Sequence, residues 1–184
     1  MSDLWDRIDS DLEYRHFLEN APLIAFSSYT FQQAEALCRA GEKLNEISNS
    51  WQSTDQGRVI HNFTEYADMF WFWVLGAYEV TRTMKQHADI CFSAKIASEI
   101  RRLNKLLSIL RVPFAKQELR GNKGTISNEL SAYKFNKGAV FEVGGQELDS
   151  YELIEEVCDF LKGIRLEHIK EPMPRQCPYQ CSRT

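Results

Sequence analysis

Met69-Phe-Trp-Phe-Trp-Val-Leu-Gly-Ala-Tyr78 is the stretch on which the fold turns. Its ten residues are about half of the ~20 needed to cross a bilayer, so it reads as a buried helix and no membrane span is expected. The helical pattern extends well beyond it. From about residue 62 to residue 87, apolar residues recur at Phe63, Tyr66, Ala67, Phe70, Trp73, Val74, Ala77 and Met84. Asn62 followed by Glu65 has the form of a capping box, with Asp55 as an earlier alternative start. The middle is apolar on every side, which places this helix at the centre of a bundle, covered all round. Gly76 offers a point for a close helix crossing; otherwise it costs about 1 kcal/mol relative to Ala.

Working outward, residues 4–19 read as a first helix, broken by Asn20-Ala21-Pro22. A second starts near Thr30, runs through Leu37, Cys38, Leu44 and Ile47, and ends at Ser48-Asn49-Ser50 and the turn at residues 53–57. A fourth spans residues 93–111, with Ser93 as cap and Ile96, Ile100, Leu103, Leu107 and Leu110 on one face; Pro113 marks its end. Residues 132–135 and 139–143 flank Asn136-Lys137-Gly138 and predict a β-hairpin. After Gly144-Gly145, Asp149 and Glu152 cap a last helix running to about Arg165. The expected fold is mainly α: about five helices in one bundle over residues 1–170, with a small β-hairpin before the last helix. Residues 171–184 are expected to be a flexible tail.

Composition sets the outer limits. With 43% apolar residues, 9 Gly and 5 Pro, the chain is neither collagen-like nor a disulfide scaffold nor largely disordered. The acidic N-terminus lacks a positive leader and an apolar core, so secretion is not expected and the location is read as cytoplasmic. The five cysteines are an odd number, and Cys38, Cys91 and Cys158 lie in apolar-periodic segments, as reduced thiols do. Cys177 and Cys181 are close together, with His168 the nearest other ligand. No second pair completes a four-ligand zinc site, so no metal is expected. Phosphate-loop, dinucleotide, zinc-protease and serine-hydrolase motifs are absent, and no cofactor is implied.

The net charge of -4 hides a division. Residues 1–80 carry a balance of -8, whereas residues 95–137 carry +7 through Lys95, Arg101, Arg102, Lys105, Arg111, Lys116, Arg120, Lys123, Lys134 and Lys137. Arg101, Arg102 and Lys105 lie opposite the Ile/Leu stripe of the fourth helix. Such a face is either a solvated surface answering the acidic half or a seat for an anionic partner such as RNA. Glu79 and Arg82, three residues apart on the third helix, are placed to pair.

Arg82-Thr83-Met84-Lys85-Gln86-His87 resembles the R-x(4–6)-H signature of the HEPN superfamily of helical-bundle proteins, many of them ribonucleases. The resemblance covers six residues and departs from the usual pattern at Thr83, where Asn, Asp or His often stands. It implies Arg82 and His87 meeting across a dimer cleft, Arg82 stabilising phosphate charge and His87 transferring a proton at the ribose hydroxyl. The stretch from Arg111 to Glu118, with that from Trp73 to Arg82, also resembles uncharacterised bacterial helical proteins, a likeness that implies no activity. The leading expectation is a non-enzymatic protein-interaction domain, self-associating as a homodimer through the aromatic third helix. An RNA-binding or RNA-cleaving protein is the alternative. Its candidate site comprises Glu79, Arg82, His87, Arg101, Arg102, Lys105, Arg111 and Lys116.

Overall fold

The computed structural model describes Ile8 and residues 11–51, 56–116, 132–135, 137–143 and 146–174. Among these the chain forms helices α1 (Leu12–Asn20), α2 (Leu23–Phe26), α3 (Ser28–Ser50), α4 (Gln56–Gln86), α5 (Ala88–Cys91), α6 (Ala94–Lys116) and α7 (Ser150–Gly163). Strands β1 (Ala132–Phe135), β2 (Ala139–Val143) and β3 (Gln146–Asp149) precede α7. The five longer helices and the hairpin are those that apolar periodicity and turn residues predict. No helix among the described residues is long and apolar enough to cross a membrane.

Helix boundaries follow local chemistry, with three departures from expectation. Asp11 is in extended geometry and accepts the Tyr14 N–H at 3.0 Å, so the helix expected over residues 4–19 is interrupted there and α1 starts at Leu12. Ile8 is buried, while Leu4 and Trp5 lie outside the described residues. Asn62 lies inside α4, which begins six residues earlier near the alternative start. Pro113 sits within α6, whose last residue is Lys116. Proline there removes one N–H close to a helix end, and its ring is buried, so packing carries the helix a turn further than local preference. Ser27 caps α3 through Thr30 N–H, and Asp149 caps α7 through Tyr151 N–H at 2.8 Å.

Helix α4 packs on both α3 and α6, while α7 packs on α3. An ion pair from Arg102 to Glu156 at 2.7 Å ties α6 to α7. The buried face of α4 carries a run of rings. Tyr66 stacks towards Phe70, Phe70 towards Trp73, and Phe141 of β2 lies 5.3 Å from Phe70. Between α4 and α6, Asn104 is buried. It donates to Thr81 Oγ1 at 3.2 Å and accepts from Lys85 Nζ at 3.2 Å, which satisfies a polar side chain inside the bundle.

Two glycines permit contacts that a side chain would block. A Cβ at Gly41 would stand 2.7 Å from Ile154 Cγ2 of α7 and 3.1 Å from Trp73 Nε1 of α4. That space lets the Trp73 indole N–H reach the Leu37 carbonyl at 3.0 Å. A Cβ at Gly138 would lie 2.5 Å from Ser150 Oγ and 2.6 Å from Tyr151 N, so the β1–β2 turn rests against the start of α7. Ser150 Oγ there accepts from Ala139 N–H at 2.9 Å and bonds the Tyr66 hydroxyl at 2.5 Å. Burial pushes the Tyr66 phenol up from its ordinary value. Gly76, the glycine expected at a crossing, is not pressed in this way, because its Cβ would meet Leu37 Cδ1 at 3.4 Å.

The hairpin extends to a three-stranded antiparallel sheet in the order β1-β2-β3. Strand β3 escapes the sequence pattern because Gln146-Glu147-Leu148-Asp149 does not alternate apolar with polar. After α7, the chain crosses back over the α5–α6 junction. Ser93 N–H bonds the His168 carbonyl, Lys170 N–H the Cys91 carbonyl and Met173 N–H the Phe26 carbonyl, each at 2.8 Å. Residues 175–184, including Cys177 and Cys181, lie outside the described residues.

Gly41→Ala is expected to destabilise the fold by about 1–3 kcal/mol through overpacking. Gly76→Ala is expected to be neutral or stabilising by up to about 1 kcal/mol. Urea denaturation of both variants checks this, and equal effects would refute the assignment of the close crossing to Gly41.

Candidate functional site

Among the described residues, nothing covers one face of α4. Trp71 is 41% and Phe72 67% exposed, with their rings stacked at 5.5 Å and 15°. The stretch expected to be enclosed on every side is therefore open on one. Partners α3 and α6 occupy two flanks and the third meets solvent. On the open side Asp68 precedes the aromatics and Leu75 follows them, roughly a turn apart. Beside them a groove of about 250 Å³ runs between α3 and α4, lined by Gln33, Ala36, Leu37, Gly76, Glu79 and Val80.

Glu79 and Arg82 continue this face. They pair at 2.7 Å, with each side chain nearly half exposed. His87 occupies the α4–α5 turn, where its carbonyl accepts the Cys91 N–H at 2.8 Å and its ring stands 6.4 Å from the Phe26 ring. Arg82 and His87 thus have different neighbours: a carboxylate for the arginine and a core aromatic ring for the histidine.

The basic residues of α6 spread around the helix rather than gathering. Arg101 pairs with Asp89 of α5, while Arg102 turns to Glu99 at 2.8 Å and Glu156 of α7 at 2.7 Å. Successive helical residues point about 100° apart, which is why neighbours in sequence serve different elements. Lys105 is exposed, and Arg111 lies over the Tyr78 ring at 5.1 Å. Lys116 ends α6, and its side chain is outside the described residues. Three of the candidate arginines, Arg82, Arg101 and Arg102, hold carboxylates of this same chain.

A second feature has no sequence signal. Cys38 of α3 and Cys158 of α7 are both buried and lie at the same α3–α7 crossing, where a Cβ on Gly41, one turn from Cys38, would stand 3.3 Å from Cys158 Sγ. Cys38 lines a pocket of about 170 Å³ whose walls come from α2, α3 and α7, among them Leu23, Phe31, Ala34 and Leu161. Lys162 stands at the same pocket and reaches across to Glu42 of α3 at 2.7 Å. The neighbouring Cys158 thiol holds the Cys38 thiol below its ordinary value, opposed by burial and helped by the Lys162 charge. Cys38 and burial push the Cys158 thiol up. Each cysteine alone reads as a small core residue, and only the α3–α7 crossing puts them together. Among the described residues no cluster of three metal-ligating side chains occurs.

Compared with protein families, curated protein sequences and solved structures, the chain matches none.

The Arg101 guanidinium, by its hydrogen bond and its charge, holds the Asp89 carboxyl below the usual carboxylate range. A depressed folded value means that the contribution is present above the unfolded value of about 3.9 and fades as pH falls through the folded one. NMR titration is expected to show Asp89 depressed, with Arg101→Gln returning it to the ordinary range. An Asp89 unmoved by that substitution would show that the α5–α6 ion pair is not formed.

Proposed function

We propose that this protein is a non-enzymatic interaction domain that self-associates through the open face of α4. The observation that carries this reading is the stacked, exposed pair Trp71 and Phe72 in the middle of a helix otherwise engaged in the core. Aromatic side chains are enriched at interfaces because they bury much area at low entropic cost, and contiguous apolar surface on a folded domain commonly marks such a site.

A second copy suits the face by its charge order. Asp68 lies seven residues before Leu75, and Arg82 lies seven after it. Two α4 helices crossing antiparallel about a two-fold axis near Leu75 bring Asp68 of each copy towards Arg82 of the other. The aromatics then occupy the middle. This is the self-complementary pattern a symmetric dimer requires. The groove beside Gly76, walled by Ala36, Leu37 and Val80, provides a shallow recess for an opposing ring.

An anionic partner such as RNA fits less well. Arg101 and Arg102 already hold carboxylates, so nucleic acid would have to displace Asp89, Glu99 and Glu156.

Light scattering or sedimentation at tens of micromolar is expected to give the mass of a dimer. Phe72→Glu, at a position two-thirds exposed, is expected to leave the fold intact and weaken association by about 2 kcal/mol or more, the scale of an interface hot spot. Asp68→Arg is expected to weaken the dimer, and adding Arg82→Asp to restore it in part. A wild-type chain that stays monomeric throughout would overturn the reading. RNA binding lost on Lys105→Glu would favour the alternative.

A further inference from the structure

We propose that Cys38 and Cys158 form a peroxide-reactive dithiol site, in which Cys38 is oxidised by a small organic hydroperoxide held in the adjoining pocket and Cys158 resolves the product as a disulfide between α3 and α7. This is independent of the α4 surface, since none of the residues lining the pocket lies on α4.

Three observations carry it. The first is contact. Both thiols are buried at the α3–α7 crossing, and Gly41, one turn from Cys38, has no side chain to hold α7 away: its Cβ would lie 3.3 Å from Cys158 Sγ. A disulfide needs this kind of approach between backbones. The second is access. Cys38 lines a pocket of about 170 Å³, whereas Cys91, also buried, instead sits 3.5 Å from the Pro172 carbonyl. The third is polarity. Apolar side chains, Leu23, Phe31, Ala34 and Leu161, form much of the wall, and Lys162 supplies a cation beside it. A short organic tail suits the wall, and the ammonium suits a departing oxygen anion. Buried structural cysteines are ordinarily inert, and reactive ones have a nearby cation and a route to solvent. Glu35 also lines the pocket, and Glu42 faces Lys162, so the site is not uniformly basic.

The chemistry balances. The Cys38 thiolate attacks the terminal oxygen of the hydroperoxide; an S–O bond forms and the O–O bond breaks. The alkoxide leaves, takes a proton from Lys162 or water, and departs as the alcohol, while Cys38 becomes a sulfenic acid. Cys158 sulfur then attacks the Cys38 sulfur, forming the S–S bond. The sulfenic hydroxyl leaves as water with the Cys158 proton. The two thiols lose two electrons and the hydroperoxide gains them. The product links α3 covalently to α7 and closes a loop over most of the chain, so the oxidised protein is more resistant to unfolding.

The full-length protein is treated with tert-butyl hydroperoxide, or with hydrogen peroxide in a parallel arm, and then mapped by mass spectrometry under denaturing, thiol-blocked conditions. The expected product lacks two hydrogens and carries a Cys38–Cys158 linked peptide, with Cys91 unmodified and the organic peroxide the faster oxidant. In Cys158→Ser, Cys38 is expected to stop at the sulfenic acid and be captured by dimedone; in Cys38→Ser, Cys158 stays unlabelled. Lys162→Met is expected to slow Cys38 oxidation several-fold and leaves both thiols in place. Linkage confined to Cys177 and Cys181, or Cys38 labelling no faster than Cys91, overturns the proposal. Faster reaction with hydrogen peroxide overturns the assignment of an organic substrate. Wild-type mapping decides the dithiol claim even if a cysteine variant fails to fold.

Discussion

At Gly41 three long helices meet with no room for a methyl group, and much of the molecule follows from that crowding. Trp73 of α4 can send its indole N–H to the Leu37 carbonyl because nothing projects from Gly41, and Ile154 of α7 fills the other side. With α4 held on α3 in this way, the rings of Phe70 and Tyr66 are aligned towards the sheet, where Phe141 and Ser150 receive them. The same closeness brings Cys158 to Cys38. A single absent side chain thereby connects the aromatic core, the seating of the last helix and the thiol pair.

Electrostatics divides along the same lines. Arg101 and Arg102 of the basic middle segment are engaged in local ion pairs whose carboxylates lie outside the acidic first 80 residues. Arg101 answers Asp89 across the α5–α6 turn, and Arg102 answers Glu156 across the α6–α7 boundary. Pairs this exposed contribute little stability individually, typically about 0–1 kcal/mol. They do set which carboxylate each arginine faces, and they leave the basic segment less open to an outside anion than its charge balance implies.

Much of the helical architecture was legible from periodicity, because each long helix buries one stripe against another. Leu37, Cys38 and Leu44 on α3, or Ile100, Leu103 and Leu107 on α6, repeat at the spacing that burial on one side demands. Boundaries were less legible where local preference and packing disagree, as at Pro113. Strand β3 was hidden because an edge strand with one apolar residue, Leu148, carries no apolar alternation. The candidate site divides in the same manner. The pairing of Glu79 with Arg82 could be read from helical spacing alone. The destinations of Arg101 and Arg102 could not, since their partners lie on other elements.

By itself the amino-acid sequence determined that this chain folds as a helical bundle with a small sheet before its last helix, and that residues 69–78 lie at its heart. It did so because apolar spacing and capping residues act locally, within a turn or two of the backbone. Which side of that central helix stays open, which glycine carries the close crossing, and which cysteines touch were decided only by the tertiary structure. Those outcomes depend on the directions in which helices far apart in the chain approach each other. No local pattern encodes a contact between residue 38 and residue 158.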